Sequence, residues 1–127
     1  MLNHAYSKAN EFFGAAAGVP EDADALGTLY LNEGDLQKAI NAFGDSKTNN
    51  AAVAQILAKN YSQAMTILDD VKVPDATTWY LKAITNARQN NRNDAVAALR
   101  QAVKLDSSLA ARAQSDLEFA GYDLSSL

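Results

Sequence analysis

The chain has 127 residues, 48% of them hydrophobic and only 2 of them proline, so it can bury a core but is short for two globular domains. It has no cysteine, which excludes disulfides and thiolate chemistry. The net charge of −4 is uneven, with 9 acidic and 4 basic residues in 1–70 against 6 acidic and 7 basic residues in 71–127. This basic excess is too sparse for phosphate neutralisation, and we expect no nucleic-acid partner.

The first predicted helix spans residues 3–17. Residues 1–6 have neither a basic start nor a sustained apolar run, so we expect no signal peptide, no transmembrane helix and no direct membrane insertion. Ala9 and Phe13 match the second helix of a repeated unit, yet no first helix precedes them. The sequence therefore indicates a fragment of a longer protein that begins halfway through a unit, and the compartment of that protein is left open.

Two helices are predicted next, at residues 20–32 and 35–43, with a tight turn at Gly34 between them. Four more follow between polar or proline-containing segments, at 48–59, 61–71, 75–89 and 93–105. Lys59 occupies the turn position that Gly34 has in the earlier pair, where a left-handed conformation would cost about 1 kcal/mol. A last helix, 108–120, is expected to cap the array, followed by a frayed tail at 123–127.

One pattern recurs along these helices: an alanine is followed four residues later by a bulky apolar residue, with successive alanines 30, 25 and 31 residues apart. The pairs are Ala9/Phe13, Ala39/Phe43, Ala64/Leu68 and Ala95/Leu99. Small residues allow two helices to approach to about 8–10 Å, and bulky neighbours fill the remaining space. The spacing predicts stacked helical hairpins.

These units resemble tetratricopeptide repeats (TPRs) over about residues 5–106. The first complete unit carries the family's residues at Leu26, Gly27, Tyr30, Gly34, Asp35, Ala39, Ile40 and Phe43. The third carries Trp79, Ala83, Ala95, Leu99, Ala102, Leu105 and Asp106, although Lys82 and Asn86 replace the usual leucine and tyrosine. The middle unit is shorter and keeps Ala51, Ala52, Tyr61, Ala64, Leu68 and Val71.

The expected fold is therefore all-α: an α-solenoid of antiparallel helix pairs with about three TPR-like repeats, an N-terminal half-repeat and a C-terminal capping helix. We expect a single repeat domain over residues 1–127. Its parts are the half-repeat helix 1–19, the helix pairs 20–45, 46–73 and 74–106, and the capping helix and tail 107–127.

The residues that could carry chemistry do not form a recognisable site. His4 is the only histidine, and no cysteine can join it as a metal ligand. Carboxylate pairs such as Asp69 and Asp70 are adjacent on a helix and do not face each other. No glycine-rich phosphate loop, nucleophile elbow or metalloprotease motif is present. The sequence predicts a protein that is not an enzyme, with no metal and no cofactor.

The resemblance implies a concave surface, lined by the first helix of each pair, that commonly holds an extended peptide. Carried over by motif, the candidate ligand groove consists of Thr28, Asn32, Asn49, Asn50, Val53, Ile56, Tyr80, Ile84 and Arg88. For the aliphatic members, packing against the next helix is an equally weighted alternative, whereas Asn49, Tyr80 and Arg88 are expected to be exposed. A ligand with apolar side chains and one anionic group near Arg88 fits this composition.

The leading functional hypothesis is a noncatalytic scaffold that holds a protein, either as a peptide or as a neighbouring domain, in this groove. The alternative is a structural spacer or assembly module within a larger multidomain or envelope protein. The partner's identity and the oligomeric state are left open by the sequence.

Overall fold

The structure, a computed structural model, describes residues 23–125 and Leu127. This part of the chain holds seven α-helices and one short 3-10 helix, and no β-strand. The helices are α1 Ala23–Asn32, α2 Leu36–Phe43, α3 Asn49–Leu57, α4 Tyr61–Asp69, α5 Ala76–Arg88, α6 Arg92–Leu105, α7 Leu109–Ser115 and the 3-10 helix η1 Leu117–Phe119. The expected helix 3–17 and half-repeat 1–19, with His4, Ala9 and Phe13, lie outside the described residues.

The helices pack in consecutive pairs, which is consistent with the expected α-solenoid of repeats. By their contacts the described residues form two compact units, 23–67 and 68–125 with Leu127, and the boundary lies inside α4. In the first unit α1 packs against α2, and α3 packs against both. In the second, α6 packs against α5 and α7, and η1 packs against α5. No helix in the described ranges is long and apolar enough to cross a membrane.

The turns inside the three hairpins have the same backbone structure. In each, the residue at the turn has a positive φ: +83° at Gly34, +66° at Lys59 and +64° at Asn90. Two hydrogen bonds close each turn. The residue after the turn residue donates its N–H to the carbonyl five residues earlier, as from Asp35 to Tyr30 at 3.0 Å. The turn residue itself donates to the carbonyl three residues earlier, as from Gly34 to Leu31 at 3.2 Å. This is the Schellman motif, which ends a helix by satisfying its last carbonyls. Lys59 therefore adopts the left-handed conformation for which the sequence analysis gave a cost of about 1 kcal/mol.

Side chains at the N-terminal ends of the helices fix where each of these helices begins. Asp35 accepts a hydrogen bond from Lys38 N, and Thr48 accepts one from Ala51 N. Asp75 and Thr78 form a reciprocal capping box before α5. Each arrangement satisfies backbone donors that the first turn of a helix leaves unpaired, which explains why these helices begin where they do.

The small residues lie where the pattern predicts close helix approach. Gly27 and the alanines at 39, 52, 64, 83 and 95 are all buried. A Cβ atom added to Gly27 would come within 2.5 Å of the Phe43 ring, so only glycine fits there without a shift. The predicted anchors Phe43, Leu68 and Leu99 are at most 3% exposed, which confirms their place in the core.

The C-terminal region differs from its prediction. The expected helix 108–120 ends at Ser115, and Asp116 has an extended ψ of 125° before η1 begins. Because the extended backbone at Asp116 redirects the chain, Leu117 is 89% exposed, whereas Phe119 is 2% exposed. The tail was expected to fray, yet Leu124 is buried in the core of the second unit.

Truncation of the first anchor tests the packing. Phe43→Ala removes a buried ring and leaves a cavity beside Gly27, so we expect the free energy of unfolding to fall by about 3–5 kcal/mol in chemical denaturation. Val73→Ala is the matched control, because Val73 is 83% exposed and its truncation should cost little. A loss below about 1 kcal/mol for Phe43→Ala would contradict the assignment.

The turn at Lys59 gives a second prediction. Lys59→Gly should raise the free energy of unfolding by about 1 kcal/mol, because glycine adopts a positive φ without the steric cost of a side chain. Gly34→Ala is the reciprocal control and should lower stability. Its added Cβ would meet no atom within 4 Å, so the effect isolates backbone conformation. Unchanged stability in both variants would show that these turns relax to negative φ in solution.

Candidate functional site

Three of the predicted groove residues in the first unit are joined by hydrogen bonds on α1 and α3. Asn50 Nδ2 donates to Thr28 Oγ1 at 3.0 Å, and Asn32 Nδ2 donates to the Thr28 backbone carbonyl at 2.8 Å. Thr28 Oγ1 in turn donates to the Asp24 carbonyl at 2.7 Å. Both asparagine side chains are exposed. We call Thr28, Asn32 and Asn50 the amide face.

A second bond fixes α3 relative to α1. Thr48 Oγ1 donates to Asp24 Oδ1 at 2.5 Å and also accepts from Ala51 N, so one hydroxyl starts α3 and joins it to α1. The amide face therefore rests on backbone elements that are held in register.

The other predicted groove residues of the first unit are less accessible. Asn49 and Val53 are half-buried, and Ile56 is only 4% exposed. Of the two possibilities considered for Ile56, its burial favours packing in the core. Beside it in sequence, Leu57 is 49% exposed.

The three predicted residues of the second unit lie on one side of α5, because they are spaced four residues apart. The sequence favours an exposed Tyr80, whereas the structure leaves its side chain only 5% exposed. Ile84 is half-buried and packs against the same core cluster. Arg88 retains partial exposure, with 32% of its side-chain surface accessible. The reason for the burial of Tyr80 is a segment that follows α7.

This segment, residues 116–124, we call the C-terminal strap. Tyr80 Oη donates to Asp116 Oδ2 at 2.6 Å, and the Tyr80 and Phe119 rings meet edge to face with centroids 5.7 Å apart. Arg88 Nε donates to both carboxylate oxygens of Glu118, at 3.0 and 3.2 Å, and Arg88 Nη2 pairs with the same group. The strap thus contacts the first and last of the three predicted α5 positions.

The environment of Tyr80 also changes its titration. Burial raises the pKa of the Tyr80 hydroxyl above its usual range, and the hydrogen bond to Asp116 raises it further. The hydroxyl therefore stays protonated, and donates to the carboxylate, further into the alkaline range than an exposed tyrosine does.

An open cleft in the first unit was not foreseen from the sequence. It has a volume of about 330 Å³ and is lined by Gly44, Asp45, Lys47, Gln55, Ser62, Gln63, Thr66 and Ile67. Its lining comes from three separate stretches of chain, for which no local motif exists. Within residues 23–125 and at Leu127, no three His, Cys, Asp or Glu side chains lie together in a way that could hold a metal ion.

Comparison with known proteins gives one family match. Residues 76–109 match the family model of the tetratricopeptide repeat, and this stretch comprises α5, α6 and the first residue of α7. No match was found to a curated protein or to a solved structure. The match and the paired helices fit a TPR-like repeat domain, and TPR repeats generally mediate protein–protein interactions.

The Tyr80–Asp116 bond predicts a pH-dependent stability. The folded chain favours the protonated hydroxyl, so this contribution is complete below the ordinary tyrosine pKa of about 10 and is lost as the pH rises above it. Tyr80→Phe should cost about 1–2 kcal/mol at pH 7, since a hydrogen bond to a carboxylate is removed. The variant should also lack the part of the alkaline decline that wild type shows between pH 9 and 11, measured by urea denaturation.

Tyr61→Phe is the control, because Tyr61 is a half-buried tyrosine of the first unit. If Tyr80→Phe leaves both the stability at pH 7 and the alkaline decline unchanged, the bond to Asp116 does not persist in solution.

Proposed function

We propose that this TPR-like repeat domain is a noncatalytic scaffold that binds a protein, as an extended peptide or a neighbouring domain, through the amide face of its first unit. The general role of TPR repeats in protein–protein interaction supports the class of function. The arrangement of Asn32 and Asn50 supports the choice of surface.

The observation that carries this proposal is that both amides are exposed and yet held in place. Each Nδ2 group uses one described hydrogen bond to Thr28, and a carboxamide has two N–H donors and two acceptor lone pairs. Remaining capacity on a fixed side chain suits the N–H and C=O groups of an extended peptide backbone. Fixing the side chains before binding also lowers the entropy lost on association.

The remaining candidates fit the proposal with different roles. Val53 is half-buried on α3 and offers apolar surface beside the amides, while the exposed Leu57 extends it toward the end of that helix. Tyr80 and Arg88 are engaged by the C-terminal strap, so they do not contribute to binding while the strap is in place.

While the strap is in place, the same engagement favours the alternative, a structural spacer or assembly module, for the second unit. There the side chains that the motif assigns to a ligand serve internal contacts instead. A module of this kind would retain its partners when the amide face is altered, and the two functions are therefore separable by experiment.

The test is quantitative affinity purification from the source cells with Asn32→Ala/Asn50→Ala, followed by titration calorimetry with the purified partner. Loss of two hydrogen bonds of about 1 kcal/mol each should weaken binding at least tenfold. Gln37→Ala is the matched control, because Gln37 is an exposed amide on α2 that also bonds to a side chain one helical turn away. Partners bound equally by all three proteins would contradict the amide face and favour the structural module.

A further inference from the structure

The C-terminal strap and α5 meet through three kinds of contact with a defined order. Along the strap, Asp116 receives the Tyr80 hydroxyl, Glu118 pairs with Arg88, and Phe119 contacts the Tyr80 ring. Residues 116–119 of the strap thus have a carboxylate, any residue, a second carboxylate and an aromatic ring, in that order.

We propose that the strap is a displaceable internal occupant of α5, and that the α5 face binds partner segments with the same acidic–aromatic order once the strap leaves. This inference does not rest on the amide face of the first unit. It assigns to α5 a second binding surface, which is closed in the free chain.

Charge and burial determine the partner's chemistry. Without the strap, Arg88 would lose the Glu118 carboxylate that it holds through a two-pronged contact, and the Tyr80 hydroxyl would lose the Asp116 carboxylate. The apolar site of Phe119, which is 2% exposed, would open to water. A carboxylate suits Arg88 because two parallel N–H donors match its two oxygens. An aromatic ring refills the space beside Tyr80 with the favoured edge-to-face geometry.

The backbone hydrogen bonds within the strap span only three residues each, as from Phe119 N to Asp116 O at 3.1 Å. Its only helical part is η1, which has three residues, and 3-10 helices have weaker hydrogen-bond geometry than α-helices. Leu117 points into water, and an open cleft of about 280 Å³ borders Phe119, Gly121, Tyr122 and Leu124. Exposed turn-type backbone bonds lower the free energy of local opening, whereas the burial of Phe119 and Leu124 raises it, so the first test measures the free energy of strap opening directly.

The first test measures strap opening in the full chain. Because the chain has no cysteine, Leu124→Cys places a single buried thiol in the strap, and Ala102→Cys places one on α6 in the same core cluster. Independent opening should make thiol labelling at position 124 at least tenfold faster than at position 102 under native conditions. Equal labelling rates would show that the strap leaves only when the unit unfolds, and would overturn the proposal.

The second test supplies the ligand. The probe is a fluorescein-labelled synthetic peptide of residues 115–123, measured by fluorescence anisotropy against the full chain. A Glu118→Ala/Phe119→Ala chain with a weakened strap should bind the peptide about tenfold or more tightly than wild type does. Adding Arg88→Glu should abolish this binding, and a peptide with arginine in place of its glutamate should restore it.

Gln101→Ala is the control, because it replaces an exposed amide on α6. This variant should bind the peptide as wild type does. Peptide binding that is equal in wild type and the weakened-strap chain, or that ignores the charge reversal at position 88, would overturn the proposal. These measurements do not involve Asn32 or Asn50. A negative result would therefore overturn the proposal for the strap and leave the proposal for the amide face unaffected.

Discussion

The hairpins depend on how closely two helices can approach at a few small side chains. Gly27 shows the constraint most clearly, because even one added carbon would collide with the Phe43 ring. The turn residue with positive φ sets the chain direction, and the alanine that follows five residues later meets the preceding helix at zero exposure. Turn geometry and side-chain size act together: the turn aims the second helix, and the small residue allows it to dock.

Local patterns were sufficient to predict the helical hairpins. Capping side chains, residues with turn preferences and an apolar stripe at helical spacing all act within a few residues, so their effects are visible in the sequence. Substitutions at family positions were also accommodated locally. Lys82, which replaces the usual leucine, lies with its Nζ 4.3 Å from the centre of the Trp79 ring and 3.1 Å from Asp69 Oδ1.

The C-terminal strap could not be predicted in this way. Its contacts join residues 30 and 36 positions apart. Nothing in the sequence near Tyr80 or near Asp116 indicates that these two side chains meet. The break at Asp116 also turns Phe119 inward and leaves Leu117 exposed, which a helix continuous over 108–120 does not predict. One signal was present: a carboxylate-rich segment follows the helices of a mildly basic region that includes Arg88. Complementary charge alone does not give the register of such a contact.

The two candidate surfaces differ in physical character. The amide face is neutral, polar and exposed, and it suits hydrogen bonding to any extended backbone. The α5 face combines a cation, a hydroxyl donor and an aromatic ring, and it already has an occupant. A neutral amide surface discriminates little between sequences, whereas a two-pronged arginine beside an aromatic site discriminates by charge and shape.

The hydroxyl of Thr48 has a consequence for cooperativity. It caps α3 and bonds to the carboxylate of Asp24 on α1, so nucleation of the third helix and its attachment to the first hairpin share one group. In a nearest-neighbour description of repeat folding, each repeat has an intrinsic term and an interface term. Here the same side chain contributes to both terms, which couples them. The early part of this array should therefore fold as one block rather than helix by helix.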